Sequence, residues 1–246
     1  MKETNYDWTP FQKALKEWDI FLSEEQIQNF QAYYELLTEW NSFMNLTAVT
    51  EFPDVMVKHF LDSLMLVRVL DRKAFADKKI FLIDVGTGAG FPGIPLKIVF
   101  PEWKVCLLDS LNKRVRFLNE VIERLKLTGI RAVHGRAEDL GRNREYRETF
   151  DLCVSRAVAN LSSLSEYCLP FVKEGGSFIS YKSGKVQEEA DSAERSVKLL
   201  GGRRETICFF RLDGTEMERS LVCIKKIRKT PEKYPRKAGV PAKEPL

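Results

Sequence analysis

A glycine-rich turn between a buried strand and a helix is the feature that most limits the folds open to this chain. Residues 80–84 form a short apolar run that ends in an acid, and four glycines follow closely. Glycine tolerates positive φ angles and close ligand approach, and a helix that begins just after the turn offers free N–H donors. Strand, turn and helix together predict a site for a nucleotide-type cofactor. The four glycines are Gly86, Gly88, Gly90 and Gly93.

The glycines fit two cofactor patterns. Asp84-x-Gly86-x-Gly88-x-Gly90 is typical of S-adenosylmethionine (SAM) methyltransferases, whereas Gly88-x-Gly90-x-x-Gly93 matches the dinucleotide fingerprint. Asp109, at the end of a second predicted strand, could accept ribose hydroxyl hydrogen bonds from either cofactor. Asp84 favours SAM, because the dinucleotide pattern leaves both it and Gly86 unexplained. A tight turn without any ligand is the remaining alternative.

The order of predicted elements indicates an α/β protein. Strands alternate with helices from Ile80 onward, which implies a mainly parallel sheet covered on both faces. The last two strands are joined through Asp213-Gly214, a hairpin signal, with no helix between them. A seven-stranded, mainly parallel sheet with a terminal antiparallel hairpin is the Rossmann-like SAM-dependent methyltransferase fold. The strands are predicted at 80–85, 104–109, 130–134, 150–155, 175–181, 204–211 and 218–226, and the helices near 92–100, 111–126, 159–169 and 185–200.

The segments on either side of this domain differ from it. Thr9-Pro10 predicts a helix start with Thr9 as N-cap, Ser23 to Gln26 resembles a capping box, and Pro53 begins another helix. Residues 1–75 are therefore predicted to be an N-terminal helical extension, residues 76–228 the methyltransferase domain, and residues 229–246 an extended, basic, proline-containing tail.

Composition narrows the setting in which the chain acts. No apolar run approaches the roughly 20 residues of a membrane span, and the N-terminus lacks the apolar segment of a signal peptide. The five cysteines are widely spaced without any CxxC pair, which predicts reduced thiols and no metal site. We therefore expect a cytoplasmic protein that makes no membrane contact.

Charge is distributed unevenly along the chain. Residues 1–79 carry a net charge of −4, residues 80–228 of +5, and the tail of +3. A basic cofactor domain and tail suit a phosphate-rich partner, although solvated surface charge explains the same numbers equally well.

In a doubly wound sheet the ligand lies beyond the carboxyl ends of the strands, at the point where the strand order reverses. Four predicted segments meet there. They are the glycine turn, Asp109 to Leu111 for ribose, Ala137-Glu138 for adenine, and Ser155-Arg156-Ala157-Val158 after the fourth strand.

The loop after the fourth strand limits the methyl acceptor. Enzymes that methylate exocyclic base amines commonly carry Asn/Asp-Pro-Pro-aromatic there, and this chain does not. Methylation at base C5 needs a nucleophilic cysteine, yet Cys153 lies inside the predicted strand. Acceptors that already own a lone pair remain, such as the ring nitrogen N7 of guanine, but elimination alone does not reach guanine.

Several short motifs occur in order across about 200 residues, and their joint presence is typical of one protein family. The chain resembles the RsmG (GidB) family, the bacterial 16S rRNA guanine-N7 methyltransferases. The motifs are Asn45-Leu46-Thr47-Ala48, His59-Phe60-Leu61-Asp62-Ser63, the segment from Asp84 to Pro95, Leu108-Asp109-Ser110, Gly135-Arg136-Ala137-Glu138, Ser155-Arg156-Ala157-Val158-Ala159 and Tyr234-Pro235-Arg236-Lys237-Ala238-Gly239.

The resemblance implies SAM as cofactor and one guanine of 16S rRNA as acceptor, in a hairpin loop near the decoding centre. The partner would be 16S rRNA, the small ribosomal subunit or its precursor, and we expect a monomer. The residues that the resemblance places in the SAM pocket are Gly86, Phe91, Asp109, Ser110, Leu111, Ala137, Glu138 and Arg156.

The remaining candidates have structural alternatives. His59 and Asp62, three apart on a helix, share a face; they would help Arg156 to position the substrate or would only dock the N-terminal helices. Lys182 and Lys185 could contact RNA phosphate or lie in a solvated loop. Arg236 and Lys237 in the tail could follow the RNA backbone or only aid solubility.

The leading hypothesis is direct in-line methyl transfer to N7, which needs no general base because N7 loses no proton. A methyltransferase for small molecules or proteins is the second hypothesis. A regulator that binds SAM or a dinucleotide without chemistry is the third.

Overall fold

One mixed sheet organises the molecule. The computed structural model describes residues 6–70 and 79–246. Within them, seven strands form one sheet in the order β3-β2-β1-β4-β5-β7-β6. The strands are β1 Phe81–Val85, β2 Lys104–Asp109, β3 Ile130–His134, β4 Phe150–Arg156, β5 Val172–Ser183, β6 Gly202–Arg211 and β7 Glu218–Lys226.

The predicted sheet is confirmed. β1 pairs in parallel with both β2 and β4, while β7 is antiparallel to β5 and to β6. The hairpin therefore inserts β7 between β5 and β6 and does not simply extend the sheet. Strand order reverses between β1 and β4, so the carboxyl ends of these two strands flank the expected ligand position.

The helices follow the prediction with three corrections. Thr9 is the first helical residue and Trp8 the N-cap. The helix predicted over 185–200 is divided at Ala193, where the Ser192 hydroxyl donates to the Glu188 carbonyl, a bond that competes with helix continuation. A short helix after β3 was not predicted. The helices of this domain are Gly93–Val99, Asn112–Arg124, Ala137–Leu140, Leu161–Cys168, Gln187–Ser192 and Glu194–Leu199.

The N-terminal helices cover one face of the sheet. The helix Glu24–Met44 begins with the predicted capping box between Ser23 and Gln26 and ends at Asn45 in a left-handed conformation. Aromatic side chains of this region pack together and then against Phe91 of the glycine turn. The helical extension therefore shares its core with the sheet. The predicted boundary between residues 75 and 76 lies outside the described residues.

The helix predicted after Pro53 changes pitch along its length. It consists of Phe52–Val55, a π-helical turn Met56–Leu61, Asp62–Leu64 and a 3₁₀ turn Met65–Arg68. π-helical turns often lie at functional sites. This one contains His59 and is followed directly by Asp62, so the wider turn sets how these two side chains meet the sheet.

The tail is docked, which corrects the prediction of an extended segment without regular structure. It contains a short helix, Val240–Lys243. The Arg147 guanidinium donates to the carbonyls of Thr230 and Tyr234, at 2.8 and 2.9 Å. The Tyr234 ring is buried in the hydrophobic cluster that contains Phe150, Phe171 and Phe178. The hydrogen-bonded carbonyls and the buried ring explain why a proline-rich segment packs against the methyltransferase domain.

Across residues 6–70 and 79–246, none of the helices is both long enough and apolar enough to cross a bilayer.

Candidate cofactor and acceptor site

The glycine turn joins the carboxyl ends of β1 and β2. The Gly86 N–H donates to the Leu108 carbonyl at 2.8 Å, and the Gly88 N–H donates to Asp109 Oδ2 at 2.9 Å. Both glycines have positive φ, +71° and +62°, a backbone conformation that residues other than glycine rarely adopt. The turn therefore folds back across the end of β2 and leaves backbone exposed to a ligand.

Asp84 lies fully buried beneath this turn. Its Oδ2 accepts from the Thr87 hydroxyl at 2.6 Å and from the Gly93 N–H at 2.8 Å, whereas Oδ1 has no hydrogen-bond partner within residues 6–70 and 79–246. Burial raises the pKa of this carboxyl to about 7, although the two hydrogen bonds oppose the shift. A buried oxygen without a donor is costly, so Oδ1 is a place where a ligand amine would be stabilised.

Asp109 lies at the end of β2, as predicted. Its Oδ1 accepts from the Leu111 N–H at 2.9 Å, and its Oδ2 accepts from Gly88 and, at 3.4 Å, from Arg114. A carboxylate has about four acceptor positions, so these bonds orient the group and leave capacity for a hydroxyl of a ligand.

A cavity of about 190 Å³ opens beside Asp109. Five of the predicted cofactor residues line it: Gly86, Asp109, Ser110, Ala137 and Glu138. Val158, from the predicted segment after the fourth strand, lines it as well. The other lining residues were not assigned from the sequence: Val85, Leu108, Gly135, Arg136 and Tyr167.

The missed lining residues differ in how visible they were. Leu108, Gly135 and Arg136 lie in motifs that the sequence already singled out, so their neighbours were a usable signal. Tyr167 lies in the helix Leu161–Cys168 and comes to the cavity only through helix packing. Nothing in the local sequence could have indicated it.

Two predicted cofactor residues have side chains elsewhere. The Phe91 ring stacks on His59 with centroids 4.5 Å apart and meets Tyr33 at 5.3 Å, so it faces the N-terminal helices. Leu111 is exposed and contributes its backbone N–H to Asp109. Neither side chain lines the cavity, and Gly88, Gly90 and Arg156 are also not among the lining residues.

Arg156, at the end of β4, joins the sheet to the π-helical turn. Its guanidinium donates to Asp62 Oδ2 at 2.8 Å and to the Lys58 carbonyl at 3.2 Å, and it lies over the Phe91 ring. The three residues predicted to position substrate are therefore in contact, since Arg156 also reaches His59 Nδ1 at 3.3 Å. Asp62 Oδ1 lacks a hydrogen bond in the described part of the chain but faces Arg219 Nε at 3.4 Å.

His59 is held as a neutral ring. Burial and the nearby Arg156 charge lower its pKa to about 4, and its Nε2 lies 2.8 Å from the Thr47 hydroxyl. Thr47 belongs to one of the motifs found in the sequence. The neutral imidazole thus fixes Thr47 and the Arg156 guanidinium and carries no charge itself at neutral pH.

The pKa of His59 gives a prediction for folding. Because the folded pKa lies below the usual 6.5, the unfolded chain binds the proton more tightly at acidic pH. The contribution is fully present above pH 6.5 and is lost as pH falls toward 4. We expect the His59→Gln variant to lack this rise of unfolding free energy with pH, so that its slope lies below that of the wild type in urea denaturation at pH 4.5, 5.5 and 7. His134→Gln at an exposed position is the control; an equal slope in wild type and His59→Gln would contradict the expectation.

A second cavity, of about 400 Å³, lies on the other side of the loop after β4. Arg156 and Ala157 line this cavity, whereas Val158 lines the first. Four basic residues and one acid line it, together with neutral His59. The charged lining residues are Lys58, Arg156, Lys182, Arg219 and Asp62.

The predicted RNA-binding residues lie in different environments. Lys182 is mostly buried, and its Nζ donates to Glu189 and to the Ala159 carbonyl, both at 2.7 Å. Arg236 forms a two-pronged pair with buried Glu166. Lys185 and Lys237 are exposed. The structure therefore gives Lys182 and Arg236 partners within the protein.

SAM fits the residues of this site. Its ribose needs hydroxyl acceptors and its adenine needs a cavity, which Asp109 and the 190 Å³ cavity provide. The candidate acceptor for its amine is Asp84 Oδ1, which lies buried beneath the turn and lacks a partner among the described residues. Cys153 is fully buried in β4 and its pKa is raised well above the usual value by burial, so it does not supply a thiolate nucleophile.

The sheet order, the antiparallel β7 and the cavity at the strand ends define the Rossmann-like fold class of the SAM-dependent methyltransferases. TrmN from Thermus thermophilus shares this fold, with a TM-score of 0.51 and 17% identity over 70% of this chain and 53% of that one.

Sequence similarity is more specific. The family model for rRNA small subunit methyltransferase G matches residues 26–222, and the chain belongs to this family. Relatives named ribosomal RNA small subunit methyltransferase G include proteins from Lachnoclostridium phytofermentans and Acetivibrio thermocellus. The first is 55% identical over 98% of both chains, and the second is 53% identical over 92% of this chain and 91% of its own.

Proposed function

We propose that this protein transfers a methyl group from SAM to N7 of one guanine in 16S rRNA. The observation that carries the proposal is the pair of cavities on opposite sides of the loop after β4, one suited to a nucleoside and the other lined by basic residues. Family membership supports the substrate class. The guanine and its N7 atom follow from the resemblance in the sequence.

The first cavity would hold the cofactor. Asp109 would accept the ribose hydroxyls, Glu138 would lie beside adenine, and Asp84 would face the amine. SAM, when bound, supplies a methyl group on a positively charged sulfur. The chain's own work is to hold this end of the site rigid, through the bonds of Gly86 and Gly88 to the end of β2.

The second cavity would hold the acceptor base. N7 of guanine owns a lone pair and loses no proton, so positioning is the main requirement. The groups that could act as a base are already engaged: His59 is bonded at both nitrogens, and Asp62 is paired with Arg156. This arrangement suits an acceptor that needs no base.

Charge around the second cavity suits a phosphate backbone. Lys58 and Arg219 lie at its lining with partly exposed side chains, 30% and 24%. Such cations neutralise phosphates, and binding then weakens as salt rises. We further propose that exposed Lys185 takes part, and that the protein acts as a monomer in the cytoplasm, where ribosomal RNA is processed.

The test is direct methylation. Purified protein would be incubated with SAM carrying a labelled methyl group and with three substrates: free 16S rRNA, small subunits and large subunits, all from a strain lacking the gene. We expect label in one 7-methylguanosine of 16S rRNA, located by nuclease digestion and mass spectrometry. Label in 23S rRNA only, or in protein, would reject the proposal.

Arg156 provides a prediction about this reaction. Arg156→Met removes the cation that joins Asp62 to His59 and leaves a mostly buried carboxylate with only the Arg219 contact at 3.4 Å. Losing one partner of a buried pair costs about 3–5 kcal/mol. We expect the unfolding free energy to decrease by an amount near the lower end of this range, about 3 kcal/mol. We also expect kcat/KM for 16S rRNA to fall about 100-fold, because the π-helical turn loses its link to β4.

Two further variants sharpen the Arg156 test. Arg156→Lys keeps the charge but loses the planar fork that contacts both Asp62 and His59. This variant should retain more stability than activity. Arg124→Met, which removes only a surface contact with Glu120, controls for loss of an arginine. Equal kcat/KM in Arg156→Met and Arg124→Met would contradict the role of Arg156.

A further inference from the structure

The C-terminal tail is fastened to a buried acid next to the cofactor cavity. Glu166 is fully buried in the helix Leu161–Cys168. Its Oε1 accepts from the Arg236 backbone N–H at 2.7 Å and from the Arg236 Nε at 2.9 Å, and its Oε2 accepts from a terminal nitrogen of the same guanidinium at 2.7 Å. Backbone and side chain of one residue thus share a single acceptor, which fixes the direction of the tail at this point.

Three residues later the tail reaches the cavity itself. The Gly239 N–H donates to Glu138 Oε1 at 2.8 Å. Glu138 lines the cofactor cavity, and so does Tyr167, the residue next to Glu166. The tail therefore contacts one wall of the cavity directly and holds the helix that provides a second wall.

The same helix is anchored twice more, beyond Gly239. The Ser163 hydroxyl donates to the Pro241 carbonyl at 2.6 Å, and the Ser162 hydroxyl donates to the Leu246 carbonyl at 2.7 Å. This helix follows the loop that separates the two cavities. Every one of these bonds ties residues 236–246 to the elements that enclose the cofactor position.

We propose that the tail segment Arg236–Gly239 is a strap that positions the cofactor pocket, with Arg236 as a positioning residue. This inference rests on the proposed function, since it requires SAM in the cavity beside Glu138. Gly239 occupies one carboxylate oxygen of Glu138 and fixes its orientation, so the other oxygen is presented to the ligand in one geometry. Preorganised side chains bind more tightly because less freedom is lost on binding.

The strap assigns Arg236 a different role from its neighbour. Lys237 is exposed and free to meet RNA, whereas the Arg236 guanidinium is directed inward. An RNA-binding tail would use both cations, and loss of either would weaken RNA binding and its salt dependence. A strap uses only Arg236, and its loss would weaken binding of the cofactor. The two roles thus separate by which substrate is affected.

The experiment uses the full-length protein and titration calorimetry with SAM. We expect Arg236→Ala to raise the Kd for SAM about tenfold and Lys237→Ala to leave it within twofold. Arg236→Ala strands the buried Glu166 charge and could fail to fold, so Glu166→Gln serves as a second variant, without a buried charge. It should raise the Kd about fivefold. Arg236→Lys, which keeps one charged donor, should recover most of the affinity.

Steady-state kinetics provide the readout that a purely structural effect would not move. The strap predicts a higher KM for SAM in Arg236→Ala and Glu166→Gln, with kcat and the KM for 16S rRNA within twofold of wild type. An unchanged Kd and KM for SAM in both variants would overturn the strap, and so would a rise confined to the KM for RNA. Failure of the wild-type protein to bind SAM would overturn the proposed function as well, which distinguishes the two failures.

Discussion

Gly86→Ala will weaken SAM binding about 100-fold, equivalent to about 2.7 kcal/mol, whereas the protein remains folded. A Cβ atom at this position would lie 2.5 Å from Val158 Cγ2, closer than real Cβ contacts. Val158 lines the cofactor cavity and belongs to the loop that separates it from the second cavity. The collision therefore displaces a wall of the site, and calorimetric titration with SAM measures the loss.

Backbone strain must be separated from this collision. Gly175, in β5, has φ +82°, and a Cβ there would meet nothing within 4 Å. Gly175→Ala thus carries only the strain of a left-handed residue, about 1–2 kcal/mol of stability, and should bind SAM normally. The double variant Gly86→Ala with Val158→Ala removes the colliding methyl group and should recover much of the affinity. Equal SAM affinity in Gly86→Ala and Gly175→Ala would contradict the account.

The fold was predictable because its signals are local and repeated. Each parallel strand is a short apolar run followed by a turn, and Asp213-Gly214 identifies the hairpin without any knowledge of tertiary contacts. The insertion of β7 between β5 and β6 was not predictable in this way, since both orders of the last two strands satisfy the same pattern. The hairpin's own pairing with β5 decides it.

The residues of the candidate site also differ in whether a local signal could predict their position. Gly86, Asp109 and Glu138 lie at strand ends, where the sheet topology alone brings them together, and all three line the first cavity. Phe91 and Arg236 depend on contacts between distant segments, with His59 and Glu166 respectively. A motif identifies such residues as part of a family pattern, but it does not determine the direction of their side chains.

The docked position of the tail could not be predicted from its composition. Five basic residues and four prolines among 18 residues favour a solvated, extended segment. Buried partners reverse that expectation: Arg147 donates to tail carbonyls and Glu166 accepts from Arg236. Both partners lie far away in sequence, so charge counted within the tail could not reveal them.

Asp84→Asn will stabilise the protein at alkaline pH and at the same time abolish efficient SAM binding. The folded pKa of Asp84 is raised by burial to about 7, above its usual 3.8. The folded state therefore holds the proton more tightly, and unfolding free energy falls as pH rises from about 4 to about 7. An amide cannot ionise, and its oxygen still accepts from Thr87 and Gly93. At pH 8 the variant should gain on the order of 4 kcal/mol, at about 1.4 kcal/mol for each of the roughly three pKa units removed.

Binding will change in the opposite direction. The Asp84 oxygen that lacks a partner among the described residues becomes an NH₂ group in the variant, so a donor replaces the proposed acceptor of the ligand amine. We expect SAM affinity to fall at least about 100-fold, or 2.7 kcal/mol. A stabilised protein that no longer binds would show that the buried charge is kept for the ligand at a cost to the fold.

The pH profile distinguishes this effect from general stabilisation. Between pH 4 and 6.5 the Asp84 slope and the His59 slope have opposite signs, because one folded pKa is raised and the other lowered. The wild-type profile should therefore be nearly flat there, that of Asp84→Asn should rise with pH, and that of His59→Gln should fall. Guanidinium denaturation at pH 4.5, 5.5, 6.5 and 8 measures all three. Parallel profiles would contradict the buried charge on Asp84, because a proton taken up only by the folded state must leave a slope that the asparagine variant lacks.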